Sequence, residues 1–197
     1  MNKERLTAFS DGVIAIIITI MVLDLHPPSG TQWAALLGTL PTFLGYVLSF
    51  TYVAIYWNNH HHMLHTVRHV NGLILWANMH LLFWLSLTPF VTAWLGRNYQ
   101  APVPTAVYGG VMLLVAIAYF ILQSIIVRIE GPDSALAAAI GRRDTKGRIS
   151  LALYIVAIAA AFIDPAISDA CFVVVALIWF IPDRRIERRV SNTAPRA

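Results

Sequence analysis

Residues 5–24 read RLTAFSDGVIAIIITIMVLD, an apolar run long enough for one helix to cross a bilayer. Its first turns nevertheless carry Arg5, Ser10 and Asp11. Polar groups are costly inside a membrane, and a helix that serves only as an anchor has no need of them. The stretch therefore predicts a transmembrane helix that has a function of its own.

The composition of the remaining chain places this helix in an integral membrane protein. Of the 197 residues, 58% are hydrophobic and only 12% are charged, which leaves too little polar surface for a soluble domain of this size. The single cysteine, Cys171, excludes an internal disulfide. A net charge of +4 is compatible with nucleic-acid binding, but the basic residues cluster between apolar runs, which favours membrane orientation as their role.

The hydropathy pattern predicts an all-α fold with six transmembrane helices. After helix 1 they cover, approximately, residues 33–57, 70–95 and 105–127, and a hairpin of two spans within 149–182. Pro41 should kink or break the second span near its start, and Asp164-Pro165 should divide the hairpin. We expect a polar loop at residues 58–69 and a short interfacial helix at 134–140.

Six spans place both termini on one side, and the basic residues test this arrangement independently. With N-in, C-in orientation, 13 of the 14 Lys and Arg residues fall inside and only Arg97 falls outside. We therefore predict a multi-pass protein of the cytoplasmic membrane, with a single transmembrane domain over residues 1–190 and a flexible tail at 191–197.

Helix 1 also carries a stripe about 100° wide, and Asp11 projects to the opposite side of it. If several copies of the helix surround an axis, the stripe forms narrow apolar collars with a hydroxyl ring among them, which suits a gate that closes by dewetting. Packing between helices is the plainer alternative. The stripe residues are Ile16, Thr19, Ile20 and Leu23.

Two carboxylates flank that stripe. Asp24, at the outer end, is either a solvated helix end or part of an acidic ring that concentrates cations. Asp11 requires a partner inside the protein and belongs either to a structural clamp or to a proton or ion site. Its candidate partners are Arg5, Trp57, Asn58, His60 and His80.

The run Arg5-Leu6-Thr7-Ala8-Phe9-Ser10-Asp11 resembles the Arg-x-x-x-Phe-Ser-Asp signature of the transmembrane-protein-175 family of prokaryotic and lysosomal potassium channels. The resemblance implies a homotetramer of six-span subunits in which helix 1 lines the pore. It implies permeant K⁺ ions, weak selectivity over Na⁺, no cofactor and no Thr-Val-Gly-Tyr-Gly filter. This chain lacks that filter sequence.

The resemblance also assigns roles by position. It places a hydrophobic constriction at Ile16, a hydroxyl layer at Thr19 and further apolar layers at Ile20 and Leu23, with Asp24 at the pore mouth. A motif network would brace helix 1 against its neighbours. The residues expected in that network are Arg5, Phe9, Ser10, Asp11, Trp57, His60 and His80.

Two other classes of membrane protein remain as alternatives. His61, His65 and His69 recur every four residues, a spacing that suits zinc, copper or haem. The cluster at residues 60–69 lies at a span end with no Cys or carboxylate beside it, which favours solvated interfacial histidines, and pH sensing is a further functional alternative. Asp11 could instead carry protons in a coupled transporter, but neither repeated halves nor discontinuous helices are evident. We find no nucleophile-base pair, phosphate loop or nucleotide motif, so we expect no enzyme and no nucleic-acid partner.

Overall fold

The computed structural model describes residues 2–140 and 144–180, except for the side chains at 135, 139 and 140. Every regular element in those ranges is an α-helix. In chain order the helices are α1 (Lys3–Leu23), α2 (Trp33–Gly38), α3 (Leu40–His65), α4 (Gly72–Ser86), α5 (Thr88–Arg97), α6 (Pro102–Glu130), α7 (Ala135–Ile140), α8 (Thr145–Ala160) and α9 (Pro165–Phe180).

Within residues 2–140 and 144–180, four helical stretches are long and apolar enough to cross a membrane, so the chain is a multi-pass membrane protein. They are Lys3–Leu23, Leu40–His65, Gly72–Arg97 and Pro102–Glu130. The predicted hairpin appears as α8 and α9, separated at Asp164-Pro165 as expected, and each has 16 residues within the described part of the chain. A 16-residue helix is about 24 Å long, less than the hydrocarbon core of a typical bilayer. The six-span arrangement therefore stays a prediction.

The second predicted span is broken at its start and extends further than expected. A break at Thr39 separates α2 from α3, and Pro41 lies in the first turn of α3, as predicted. The expectation of a loop at residues 58–69 was wrong for 58–65, because α3 continues to His65, whereas 66–69 lie in the connection to α4 as expected. The polar residues remain helical because they find local partners: the Asn59 amide donates to the Ile55 carbonyl at 2.8 Å.

The third predicted span is interrupted at Leu87, between α4 and α5, where the sequence analysis expected continuous helix. Pro89 lies in the first turn of α5, where its missing N–H removes no hydrogen bond from that helix. The same principle explains why α6 begins at Pro102, ahead of the predicted Thr105. At its other end α6 stops before Gly131, whose φ of 94° suits glycine.

The short helix expected at 134–140 is present as α7, Ala135–Ile140. Other expectations fall outside the described residues: Arg142 and Arg143 of the basic loop, the end of the domain from 181 to 190, and the tail at 191–197.

The core of the subunit lies around α6, which packs against α4, α5, α8 and α9. Fully buried side chains along α6 include Tyr108, Met112 and Val115. Hydroxyl groups connect the layers: Ser49 and Tyr108 share a hydrogen bond of 3.1 Å, and the Tyr52 hydroxyl donates to the Phe172 carbonyl at 2.6 Å. In contrast, α1 packs on one side only, against α3, α4 and α5.

Gly109 permits close approach of α6 to α8 and α9. A Cβ at this position would lie 3.0 Å from Ile158 Cγ1 and 3.1 Å from Phe172 Cζ. Gly109→Val should therefore overpack the contact and cost about 1 to 2 kcal/mol. Gly110→Val is the matched control, because a Cβ there meets nothing within 4 Å. Thermal unfolding in detergent should show a lower midpoint for the first variant, and equal midpoints would contradict this account.

Candidate functional site

Helix α1 has one face packed in the subunit and one face left open. The packed face consists of Leu6, Ser10, Ile14, Ile17 and Met21, all buried. On the open face Ile16, Ile20 and Leu23 are 58%, 44% and 78% exposed, respectively, and Thr19 is exposed as well. The four stripe residues of the sequence analysis thus share the side of α1 that its own subunit does not cover.

A chain of buried hydrogen bonds fixes the packed face of α1. The Asn78 amide of α4 donates to the Ser10 hydroxyl at 3.0 Å, and its carbonyl oxygen lies 2.7 Å from His60 Nε2 of α3. Ser10 and Asn78 are fully buried and His60 is 1% exposed, so these bonds pair groups that water does not reach. The Ser10 hydroxyl donates to the Leu6 carbonyl at 2.9 Å. The Asn78 side chain therefore connects α4 to both α1 and α3.

Asp11 has a separate partner. The Trp57 indole N–H of α3 donates to Asp11 Oδ1 at 2.9 Å. This hydrogen bond partly offsets the free energy needed to place a carboxylate in the first turns of an apolar helix. Arg5, the other candidate partner, is exposed and makes no hydrogen bond or ion pair to the part of the chain that the structure describes.

The structure brings together only part of the expected motif network. Ser10, Asp11, Trp57 and His60 make the contacts given above. Phe9 is 50% exposed on the open face. His80 is exposed and accepts from the Trp84 indole of its own helix at 2.9 Å, so it does not reach α1. Asn78 was not predicted as a site residue, although its position in an apolar run already marked it as a polar group that needs a partner.

The two ends of α1 are held differently. At its start the Asn2 side chain accepts from the Glu4 N–H at 3.2 Å, and Lys3 Nζ donates to the His65 carbonyl at 2.7 Å. At its far end Asp24 caps the helix, and its carboxylate lies 4.0 Å from Arg97 of α5. An open cavity of about 510 Å³ lies beside this pair, and Ile20 and Trp94 contribute to its lining.

The histidines of α3 form an aromatic group at the end of the helix. The ring centroids of His61 and His65 are 4.5 Å apart, and the His61 ring lies 5.8 Å from the rings of both His62 and Trp57. Within residues 2–140 and 144–180, no three His, Cys, Asp or Glu side chains are placed to hold a metal ion. The geometry therefore gives no support to a metal site with three or more of these ligands in this part of the chain.

Several known proteins are similar to this chain in sequence over α1 and the helices that contact it. A family model described as endosomal/lysosomal potassium channel TMEM175 matches residues 5–89. A potassium channel of Chryseobacterium sp. (strain P1-3) is 55% identical over 192 residues, which cover 98% of this chain and 100% of that protein. The human endosomal/lysosomal proton channel TMEM175 is 41% identical over 80 residues, which cover 34% of this chain and 16% of that much longer protein.

A solved structure shares the architecture. The crystal structure of a lysosomal potassium-selective channel TMEM175 homolog from Chamaesiphon minutus matches with a TM-score of 0.77 and 30% sequence identity. The match covers 91% of this chain and 96% of that chain. The similarity therefore extends well beyond the segment that the family model matches.

Proposed function

Because this chain belongs to the TMEM175 family of channels, we propose that it is a potassium-permeable cation channel of the cytoplasmic membrane and has no enzymatic activity. The observation that carries the proposal is the open face of α1. A helix that is packed on one side by α3, α4 and α5 leaves its isoleucine and threonine stripe free for copies of itself.

We propose a homotetramer of six-span subunits with α1 of each subunit at the centre. Four copies of Ile16, Ile20 and Leu23 then form apolar collars, and Asp24 lies at the outer mouth. Narrow apolar collars hold back ions by excluding water, so they set the barrier to conduction. In this arrangement the ion path needs no Thr-Val-Gly-Tyr-Gly filter.

Thr19 is proposed as the hydroxyl layer that favours K⁺ weakly over Na⁺. Its hydroxyl donates to the Ile16 carbonyl at 2.8 Å, so the hydrogen is already engaged within the helix. The oxygen lone pairs remain free to accept or to coordinate. A ring of four such oxygens can replace part of a cation's hydration shell, which costs less for K⁺ than for the more strongly hydrated Na⁺.

The motif network is proposed to hold α1 at the orientation that the collars need. Support comes from the bonds of Ser10 to Asn78 and of Asp11 to Trp57, which attach two sides of α1 to α4 and α3. Arg5 and Phe9 lie on the open face, so any bracing by them would act between subunits. His80 is exposed and hydrogen-bonded to Trp84 of its own helix, so it contributes least to this proposal.

Flux and assembly measurements on the purified wild type test the proposal. Liposomes containing the protein should release K⁺ faster than Na⁺, and protein-free liposomes should release neither. A pH-sensitive dye in the same vesicles would report protons, since the human relative is named a proton channel. Mass measurement in detergent should give four subunits. Absence of K⁺ flux across several pH values and voltages, or a stable monomer, would contradict the proposal.

A further inference from the structure

We propose that Arg97 controls how strongly the outer mouth attracts cations, by neutralising Asp24 of the same subunit. This inference rests on the proposed function, because it assigns a conduction role to a residue outside α1. Arg97 is also the single basic residue predicted to lie on the outer side of the membrane.

The helix ends explain why the two charges meet. Asp24 caps the C-terminus of α1, where the helix dipole is negative and a second negative charge is unfavourable. Arg97 lies in the last turn of α5, where a positive charge is favourable. Because α5 packs against α1, its terminal guanidinium compensates the carboxylate that α1 cannot stabilise alone.

The pair is too exposed to act mainly as a structural bond. Arg97 Nη2 and Asp24 Oδ1 are 4.0 Å apart, and the two side chains are 60% and 37% exposed. Ion pairs in such wet surroundings contribute little to stability. The two charges nevertheless act on ions in the solvent beside them. The neighbouring cavity is also lined by Ile20 of the proposed pore stripe. The pair is therefore placed to act on ions that approach the path.

Charge counting gives the sign of the effect. In the proposed tetramer four Asp24 carboxylates alone would make an acidic ring, whereas four Asp24-Arg97 pairs leave the mouth nearly neutral. Removing Arg97 should unmask the ring and raise the local cation concentration. The gain should be large in dilute salt and small in concentrated salt, because the screening length falls from about 30 Å at 0.01 M to about 3 Å at 1 M.

The experiment is single-channel K⁺ conductance in planar bilayers at about 0.01 M and 1 M KCl. Arg97→Gln should conduct about twice as well as wild type in the dilute solution and equally in the concentrated one. Arg97→Lys, which keeps the charge, should match wild type. Arg68→Gln is the matched control, since Arg68 is 85% exposed and lies in the connection just after α3, near the opposite end of α1.

The double variant decides whether Arg97 acts through Asp24. If it does, Arg97→Gln should have no effect in an Asp24→Asn background. An unchanged conductance in Arg97→Gln, an increase that persists at 1 M, or an equal increase without the carboxylate would each overturn the inference. A wild type that carries no K⁺ current would instead overturn the proposed function, and this inference with it.

Discussion

Asparagine in place of Ile16 should raise K⁺ flux through reconstituted liposomes by about tenfold, which corresponds to a barrier lowered by about 1.4 kcal/mol. Ile16 is 58% exposed on the open face of α1, at the level proposed for the constriction. An amide there would hydrate a collar that otherwise excludes water. Because ions would then pass with more of their hydration shell, the ratio of K⁺ to Na⁺ flux should fall towards one.

Val22→Asn provides the control on the same helix. Val22 is 45% exposed but projects about 120° away from Ile16, so its amide would not reach the collar. We expect this variant to conduct as the wild type does. Equal increases in both variants would indicate a general disturbance of α1 and would contradict the assignment of Ile16 to the constriction, as would an unchanged flux in Ile16→Asn.

Leucine in place of Asn78 should cost about 3 kcal/mol of stability, because it leaves His60 Nε2 buried without a partner, at a cost of about 1 to 3 kcal/mol, and also removes a buried hydrogen bond to Ser10. His60 would suffer most, since its Nδ1 already lacks a partner among the described residues and its Nε2 would lose the Asn78 oxygen. Ser10 would lose the Asn78 amide but keep its bond to the Leu6 carbonyl.

Thermal unfolding of the detergent-solubilised protein measures this loss, and the midpoint should fall by several degrees. Asn58→Leu is the matched control. Asn58 is exposed on α3, so the same substitution there leaves no buried polar group without a hydrogen-bond partner. If the two variants unfold at the same temperature, the chain from Ser10 to His60 does not stabilise the subunit. A reduced K⁺ flux in Asn78→Leu would further link this chain to the position of α1.

The sequence was informative about two of the helix breaks, where a proline marks the position. Proline has no N–H to donate, so the breaks near Pro41 and at Asp164-Pro165 could be predicted from the positions of these prolines in the sequence. The break at Leu87 was missed because Pro89 follows it within an apolar run that looks continuous. The loop expected at residues 58–69 was wrong over 58–65 for a different reason: polar residues suggest solvent, but His60 is buried and hydrogen-bonded to Asn78 of α4.

The partners of α1 show where sequence reasoning ends. A polar residue inside an apolar helix signals that a partner exists, and Ser10 and Asp11 were recognised on that basis. Which residue is the partner depends on the rotation of the helix. Asn78 and His80 are two positions apart, so their side chains project in directions about 160° apart. Only Asn78 faces α1. Likewise, the periodicity of α1 defines a stripe of residues, but periodicity does not identify the groups that contact this stripe.

The hydroxyl of Tyr52 has a consequence for biogenesis. Its acceptor, the carbonyl of Phe172, lies 120 residues later in the chain. At about 5 to 20 residues per second, the ribosome needs about 6 to 24 s to synthesise that interval. Throughout this time newly inserted α3 carries a phenol whose final partner does not yet exist, in a solvent that offers few substitutes. The hydrogen bonding of α3 is therefore completed only after α9 has been synthesised.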